Sequence, residues 1–197
     1  MPTKKSLRDR ASKIKLLLMD VDGVLTDGRI YYLPAPGQRR GRRGLTLDDR
    51  PVFETKTFHS RDGLGLRLAQ RAGLRIGIIS GRKSPVVEYR ARELNFDFIE
   101  QSALEKLAPY QKVLKAAGVR DDEVCYVGDD IVDLPILTRV GLAVSVGDGH
   151  PLLRKHVHYV TGARGGLGAV RETIELILTA QGKFESVLEH YLGGNRQ

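Results

Sequence analysis

Acidic side chains follow two short apolar runs of this sequence, and their type and spacing could perform chemistry. The run LLLM is followed by Asp20 and Asp22. The run VCYVG is followed by Asp129, Asp130 and Asp133. Clustered carboxylates repel one another unless a cation lies between them or one of them holds a proton. Mg²⁺ prefers oxygen ligands of this kind, so the two clusters together indicate a magnesium site.

Two further segments supply groups that can hold a phosphoryl group. RIGIISGR ends in Ser80, Gly81 and Arg82, which offer a hydroxyl, a backbone N–H beside a glycine and a guanidinium. Lys106, in ALEKLAPY, stands near the start of an expected helix, where its charge could balance a phosphate. Taken singly, Ser80 also fits a helix cap and Lys106 a solvated surface lysine. The prediction of a phosphate-binding site is therefore specific only because these groups occur together and in this order along the chain.

The elements that must position these residues alternate between strand and helix. Five short apolar runs predict strands buried on both faces, at 15–19, 75–79, 123–127, 142–146 and 157–160. Helical patterns lie between and after them, at 62–72, 84–94, 104–117, 130–139 and 168–181. This alternation predicts an α/β fold with a doubly wound, Rossmann-like parallel sheet and helices on both faces. Because functional groups in such folds lie beyond the carboxyl ends of the strands, the acidic clusters should meet at one sheet edge.

Two segments after the first strand depart from this alternation. RIYYL (29–33) and VFETKTF (52–58) predict a two-stranded hairpin, which we call the flap (about residues 29–58). Its tip, 34–50, is rich in Gly, Pro and Arg and predicts a solvated loop, the alternative being an altered lid for a neighbouring pocket. No linker divides the chain, so we predict one domain over 1–197.

Composition limits the class of protein. Hydrophobic residues make up 41% of the 197 residues, which is enough for a sizeable core. The single cysteine, Cys125, excludes an intrachain disulfide and fits the reducing cytoplasm. The first apolar run is too short for a signal peptide or a membrane span. The net charge of +8 indicates an anionic partner. A basic nucleic-acid-binding module is the less favoured alternative, because its charge clusters in one loop without a recognised binding motif.

The order of the motifs resembles the haloacid dehalogenase superfamily of phosphohydrolases. The matching motifs are Asp-x-Asp-x-Val at 20–24, Ser80 at a strand end, Lys106, and Gly-Asp-Asp-x-x-Asp at 128–133. The resemblance implies that the first aspartate, Asp20, is the nucleophile and forms an aspartyl-phosphate.

The same resemblance implies the remaining catalytic and metal roles. Asp22 would be the general acid for the leaving alcohol and then the base that activates water. Ser80 and Lys106 would hold phosphoryl oxygens. Mg²⁺ would be bound by Asp20, by the backbone carbonyl of Asp22 and by Asp129, while Asp130 and Asp133 would support the metal shell.

The intervals between the motifs leave no room for the lid domain that many superfamily members carry. Three further segments are similar to a capless branch of the superfamily, namely phosphatases that act on 3-deoxy-D-manno-octulosonate 8-phosphate in lipopolysaccharide precursor synthesis. The segments are FHSRDGLG, ISGRKSPVVEYRARELNF and GGLGAVRETIELILTAQGK. This resemblance implies a homotetramer in which neighbouring flaps and C-terminal tails (about 183–197) close each pocket. An acylneuraminate 9-phosphate stays open as the alternative substrate, since both compounds are phosphorylated 2-keto sugar acids.

The resemblance also implies a set of substrate contacts. Arginine suits both the carboxylate and the phosphate of such a substrate through bidentate hydrogen bonds. Besides Asp22 and Lys106, the implied contacts are His59, Ser60, Arg61, Asp62, Gly63, Arg67, Gly81, Arg82 and Arg90. For Arg67 and Arg90, a position on a solvated helix surface stays open as the alternative.

The glycine-rich segment TGARGGLGAVRE (161–172) superficially resembles a nucleotide-binding fingerprint. It lacks the G-x-x-x-x-G-K-[ST] pattern and no further βαβ strand follows it, so we predict that its glycines allow close packing or contact a neighbour. Cys125 is expected in the core, and His150, His156 and His158 lack the neighbours of a metal site.

Overall fold

The computed structural model describes residues 6–34, 46–47 and 50–193. The tip predicted over 34–50 therefore lies almost wholly outside the described residues. The strands are β1 (Leu16–Met19), β2 (Tyr31–Pro34), β3 (Thr46–Leu47), β4 (Arg50–Thr55), β5 (Arg75–Ile79), β6 (Phe98–Glu100), β7 (Val124–Gly128), β8 (Leu142–Ser145) and β9 (Tyr159–Val160). The α-helices are α1 (Leu7–Ala11), α2 (Ser60–Arg71), α3 (Pro85–Glu93), α4 (Leu107–Ala117), α5 (Leu134–Leu137), α6 (Ala169–Ala180) and α7 (Phe184–Glu189).

Six strands form one parallel sheet in the order β6-β5-β1-β7-β8-β9. The strand β1 lies between β5 and β7, with Met19 beside Ile78 on one side and Val127 on the other. The carboxyl ends of these three central strands therefore lie next to one another. This arrangement confirms the predicted α/β fold with a Rossmann-like parallel sheet.

Helices cover both faces of the sheet and explain why β1 is apolar throughout. Leu17 and Met19 face a core that includes residues of α2 and α6, whereas Leu16 and Leu18 face a second core that includes residues of α4 and α5. All four side chains are fully buried. A strand buried on both faces does not alternate between apolar and polar residues.

The flap is an antiparallel sheet of three strands in the order β2-β4-β3. The antiparallel pairing of β2 with β4 confirms the predicted hairpin, and the two-residue strand Thr46–Leu47 adds a third strand beside β4. So short a strand has no periodicity that the sequence could reveal.

The predicted helix over 130–139 is also corrected. A 3₁₀ turn spans Ile131–Asp133, and the α-helix covers only Leu134–Leu137. Asp130 caps the turn, and Pro135 fits a first helical turn because its missing N–H is not needed there. The last predicted strand shortens to Tyr159–Val160.

The segment predicted as the C-terminal tail contains a helix within the described residues. The helix α7 places Val187 against the core, and Nη1 of Arg71 donates to the hydroxyl of Tyr191 over 2.6 Å. Among the described helices, none is long and apolar enough to cross a membrane.

Candidate active site

The central strands deliver the predicted catalytic residues to one sheet edge. Asp20 follows β1, Ser80 follows β5 and Asp129 follows β7. Lys106 reaches the same edge as the residue preceding α4. Together they line a cavity of about 240 Å³ whose other lining residues are Asp22, Gly81, Arg82, Leu104, Asp130 and Val132. The structure thus brings together residues that are far apart in the sequence.

Asp20 and Lys106 form a buried ion pair in this cavity. Oδ2 of Asp20 lies 2.8 Å from Nζ of Lys106, and Oδ1 of Asp20 accepts a hydrogen bond of 2.7 Å from the N–H of Val21. Burial raises the pKa of Asp20 to about 6, with Lys106 acting in the opposite direction. Burial acts to lower the pKa of Lys106, whereas the carboxylates of Asp133 and Asp20 act to raise it. The carboxylates have the larger combined effect, so the pKa of Lys106 lies above its ordinary value. The lysine therefore carries its charge beside the carboxylate.

Asp133 is fully buried and accepts hydrogen bonds at both carboxylate oxygens. Oδ1 accepts from Nζ of Lys106 at 2.7 Å and from the hydroxyl of Tyr126 at 2.8 Å. Oδ2 accepts from the N–H groups of Asp129 at 3.0 Å and Asp130 at 3.3 Å. Tyr126 did not enter the sequence predictions, because a tyrosine inside an apolar strand is indistinguishable from a core residue.

Asp129 carries the clearest signature of a cation-binding group. Burial and the nearby carboxylates of Asp20 and Asp133 raise its pKa to about 8. Within the described residues, its Oδ1 is buried and has no hydrogen-bond partner. Oxygens of the three aspartates lie within 4.8 Å of one another. A hard divalent cation fits this set, since it would partner the unpaired oxygen and offset the repulsion.

Asp22 is held by a lysine that the sequence analysis missed. Nζ of Lys56, a residue just beyond β4, donates to Oδ1 of Asp22, and Nζ also lies 3.5 Å from Oε1 of Glu54. Oε2 of Glu54 accepts a hydrogen bond of 2.9 Å from Nη2 of Arg82, which also donates to the hydroxyl of Tyr32 over 2.9 Å. Ion pairs thus join the flap to the two loops that line the cavity. Lys56 is the lysine of VFETKTF, and no motif marked it.

Other predicted substrate contacts surround a second cavity that Lys56 also lines. Ser60 and Arg90 line this cavity together with Phe58, Val86, Tyr89 and Glu93. The guanidinium of Arg90 lies 5.7 Å from the ring centre of Phe58, and Nη1 pairs with Glu93 over 2.8 Å. Two buried nitrogens, Nε of Arg90 and Nδ1 of His59, have no hydrogen-bond partner in the described part of the chain. Arg90 lines the cavity, so its buried donor there is suited to a polar ligand, whereas His59 is not among the residues that line it.

The remaining predicted contacts lie elsewhere. Asp62 is fully buried, and its carboxylate accepts hydrogen bonds from the N–H groups of Gly168 and Arg171, where it caps α6. Gly63 packs beneath the guanidinium of Arg90. Two arginines, Arg61 and Arg67, are exposed on α2 and line neither cavity.

The glycine-rich loop packs directly against the loop that follows Asp20. The N–H of Gly166 donates to the carbonyl of Val24 over 2.9 Å. A Cβ at Gly165 would overlap the carbonyl oxygen of Gly23. The close packing predicted for these glycines is therefore confirmed against the loop that follows Asp20.

Comparison with known proteins agrees with this fold and site. The family described as haloacid dehalogenase-like hydrolase matches residues 60–141. The chain is 40% identical over 184 residues to the 3-deoxy-D-manno-octulosonate 8-phosphate phosphatase KdsC of Yersinia pestis, covering 93% of this chain and 90% of the relative. KdsC of Escherichia coli strain K12 is also 40% identical, with 93% and 89% covered.

Two solved structures extend the comparison. A probable YrbI family phosphatase from Pseudomonas syringae has a TM-score of 0.84 at 40% identity, with 94% of this chain and 97% of that chain covered. The 3-deoxy-D-manno-octulosonate 8-phosphate phosphatase of Moraxella catarrhalis, in complex with magnesium, phosphate and KDO, has a TM-score of 0.83 at 36% identity, with the same coverage.

The parallel sheet, its carboxylate edge and these relatives define the class: the chain is a haloacid dehalogenase-like hydrolase and a phosphomonoesterase. Within this class it belongs to the 3-deoxy-D-manno-octulosonate 8-phosphate phosphatase family.

Proposed function

We propose that this chain hydrolyses 3-deoxy-D-manno-octulosonate 8-phosphate to the free sugar acid and phosphate, in the cytoplasm, as a step in lipopolysaccharide precursor synthesis. We also propose that residues 1–197 form a single hydrolase domain. The observation that carries the proposal is the buried contact of Asp20 with Lys106 beside Asp129, at the edge where Ser80 also ends a strand. The similarity to KdsC over most of the chain supports the choice of substrate.

Asp20 is the nucleophile of the proposed reaction. Its carboxylate oxygen attacks phosphorus and forms an aspartyl-phosphate, and the bond between phosphorus and the sugar oxygen breaks. Asp22 donates a proton to the leaving oxygen and then removes a proton from the water that attacks the aspartyl-phosphate. The hydrogen bond from Lys56 to Oδ1 of Asp22 supports this role, because it fixes a carboxylate that could otherwise rotate.

Ser80, Gly81 and Lys106 hold the phosphoryl oxygens. All three line the cavity of Asp20, and Ser80 and Lys106 are buried there. Phosphoryl transfer depends above all on positioning and on neutralising charge, which a hydroxyl, a backbone N–H and a buried ammonium can supply.

Mg²⁺ would be held by the carboxylates of Asp20 and Asp129 and by the backbone carbonyl of Asp22. Oδ1 of Asp129, which is buried and has no hydrogen-bond partner in the part of the chain that the structure describes, supports this assignment. When bound, the ion neutralises charge on the phosphoryl oxygens and on the carboxylates around them. Asp133 stays outside the direct ligands, since its oxygens already accept four hydrogen bonds.

The sugar acid extends from the catalytic cavity into the cavity of Arg90. Within the described residues the buried Nε of Arg90 has no hydrogen-bond partner, and this nitrogen and the hydroxyl of Ser60 support recognition of the carboxylate and hydroxyl groups there. We keep His59, the residue before Ser60, as a further proposed contact, because its buried Nδ1 has no partner in the described part of the chain either. Arg82 lines the catalytic cavity, with Nε 3.9 Å from Oδ2 of Asp22. Asp62 and Gly63 contribute by positioning α6 and Arg90, respectively.

We propose a homotetramer in which neighbouring chains complete each pocket. The catalytic cavity is below the usual range of roughly 300–1,000 Å³ for ligand sites. The flap also exposes large apolar side chains, namely Tyr31, Tyr32, Leu33 and Phe53. Exposed apolar clusters of this kind are typical of protein interfaces.

A side-by-side assay tests the substrate. Release of phosphate is measured with and without Mg²⁺ for 3-deoxy-D-manno-octulosonate 8-phosphate, an acylneuraminate 9-phosphate and a hexose 6-phosphate. We expect kcat/KM to be highest for the first compound and to require Mg²⁺. Equal efficiency on all three would contradict recognition of the sugar acid, and preference for the nine-carbon acid would contradict the named substrate.

A further inference from the structure

A tyrosine hydroxyl lies buried directly behind the catalytic lysine. Tyr126 is in the middle of β7 and is fully buried. Its hydroxyl donates to Oδ1 of Asp133 over 2.8 Å and lies 3.5 Å from Nζ of Lys106. Burial and the neighbouring carboxylates raise the pKa of Tyr126 well above its ordinary value, so the hydroxyl remains a donor.

The three side chains form a closed triangle of polar contacts in an otherwise apolar layer. Nζ of Lys106 donates to the same Oδ1 of Asp133 that accepts from Tyr126, at 2.7 Å. A third contact of Lys106 leads to Oδ2 of Asp20, at 2.8 Å. The ammonium is thus shared between the nucleophile in front and the carboxylate of Asp133 behind.

Asp133 itself has no freedom to move within this triangle. Two backbone N–H groups bind its Oδ2, and its carboxylate lies against Gly128, where a Cβ would touch Oδ2 at 2.5 Å. The hydroxyl of Tyr126 therefore donates to an acceptor that is fixed in place. A carboxylate oxygen has two lone pairs, and the hydroxyl occupies one of them at Oδ1, so that Lys106 has only the other.

We propose that Tyr126 is a positioning residue that holds Lys106 toward Asp20 and the phosphoryl group by sharing the acceptor Oδ1 of Asp133. This inference rests on the proposed role of Lys106 in binding phosphoryl oxygens. Without the hydroxyl, Oδ1 of Asp133 attracts the ammonium without competition, and Lys106 shifts from the nucleophile toward the interior. The phosphoryl group then loses part of a charged hydrogen bond.

Phenylalanine at position 126 deletes only the hydroxyl, and the chain offers a matched control. Tyr110 on α4 is also buried, and its hydroxyl donates to Oδ1 of Asp121 over 2.6 Å. Asp121 precedes β7, at the opposite sheet edge from the catalytic residues. Tyr126→Phe and Tyr110→Phe both keep the aromatic ring, so both are expected to fold, which circular dichroism checks.

The experiment measures binding of inorganic phosphate by calorimetry in the presence of Mg²⁺, together with kcat/KM for phenyl phosphate. We expect Tyr126→Phe to weaken phosphate binding and to lower kcat/KM by about tenfold each, as for a partly lost charged hydrogen bond. The Mg²⁺ concentration for half-maximal activity should stay within about twofold, and Tyr110→Phe should change none of these quantities by more than that. In a Lys106→Met background, Tyr126→Phe should have no further effect on phosphate binding, because the residue acts through Lys106.

Three results would overturn the inference. They are unchanged phosphate binding in Tyr126→Phe, an equal loss in Tyr110→Phe, or an equal loss from Tyr126→Phe in the Lys106→Met background. Failure of the proposed function gives a different result, namely wild-type protein that binds phosphate but releases none from any ester.

Discussion

Nζ of Lys56, just beyond the last strand of the flap, donates a hydrogen bond to Oδ1 of Asp22, in the loop that follows β1. The lysine side chain is completely buried and also faces Glu54. The repulsion between Asp20 and Asp22 is therefore relieved by two lysines, because Lys106 pairs with the first aspartate and Lys56 with the second. This contact joins the flap to the loop that follows β1.

Replacing Lys56 by methionine should impair catalysis. The carboxylates of Asp22 and Glu54 lose their shared cation, so Asp22 is no longer held in one orientation. We expect kcat/KM to fall at least tenfold and the midpoint of thermal unfolding to decrease, since a buried ion pair is broken on one side. Lys56→Arg, which keeps the charge, should recover part of the activity. Lys15→Met is the matched control, because Lys15 pairs with Glu123 but is itself exposed. A Lys56→Met variant with wild-type kcat/KM would exclude this role.

Gly165→Ala should displace the loop that carries Asp22. The added Cβ would overlap the carbonyl of Gly23, a backbone atom that cannot move aside without shifting the neighbouring carbonyl of Asp22. We expect a loss of at least tenfold in kcat and a higher Mg²⁺ requirement. Gly162→Ala, in the same loop, is the control, because its Cβ would come no closer than 3.8 Å to another side chain. Similar kinetics for the two variants would show that the close packing at Gly165 is not needed for catalysis.

A site residue can be predicted from the sequence only where the residues around it form a recognisable local pattern. Asp20 and Asp129 each follow an apolar strand, so the prediction of a parallel sheet was enough to place both residues at the same sheet edge. Lys56 and Tyr126 leave no such signal, because a lysine in a short hairpin and a tyrosine in a buried strand look structural in isolation. Their roles depend on tertiary contacts with Asp22 and Asp133 that no local pattern specifies.

The longer elements of the fold were predicted better than the short ones. The apolar run at 75–79 predicted β5 at its observed bounds, and helical spacing of apolar residues predicted α6 to within a residue at each end. The two-residue strand β3 and the short helix at Leu134–Leu137 were not predicted. Elements this short are determined by capping and turn geometry within three or four residues, which is too few for a periodic pattern. The family resemblance implied Asp62 as a substrate contact, and only the structure shows that its carboxylate also caps α6, more than 100 residues further along the chain.

Metal binding should stabilise the protein more at high pH than at low pH. In the metal-free fold, the pKa of Asp20 is raised to about 6 and that of Asp129 to about 8, both above the values of an unfolded chain. The folded state then holds protons that the unfolded state releases, so this contribution to stability is complete below about pH 4 and is lost as pH rises through 6 and 8. We expect the thermal midpoint of metal-free protein to decrease over this range.

Mg²⁺ should reverse this loss, because it takes the place of the protons. The increase in the midpoint on adding Mg²⁺ should therefore be larger at pH 8 than at pH 6, and Asp129→Asn should remove most of that difference. An equal Mg²⁺-induced increase at both pH values would contradict the assignment of Asp129 as a proton-binding metal ligand.

Arg90→Met should separate recognition of the sugar acid from phosphate chemistry. Among the described residues, the buried Nε of Arg90 has no hydrogen-bond partner, which suits it to bind a carboxylate or hydroxyl, and one charged hydrogen bond contributes roughly 1.5–3 kcal/mol. We expect kcat/KM for 3-deoxy-D-manno-octulosonate 8-phosphate to fall tenfold or more, while that for phenyl phosphate changes little. Arg92→Met, on the exposed face of the same helix, should leave both values unchanged. Equal losses on both substrates would assign Arg90 to the fold instead.

The most direct test of the central claim, covalent catalysis by Asp20 with Asp22 as acid and base, is a burst experiment with the Asp22→Asn variant. 2,4-Dinitrophenyl phosphate has a leaving group that needs no proton, so the first step should proceed while hydrolysis of the aspartyl-phosphate stalls. We predict a burst of one equivalent of dinitrophenolate per chain with the phosphoryl group on Asp20, and no burst when Asp20→Asn is added. A missing burst in the single variant, a phosphoryl group on another residue, or turnover without Asp20 would contradict the account.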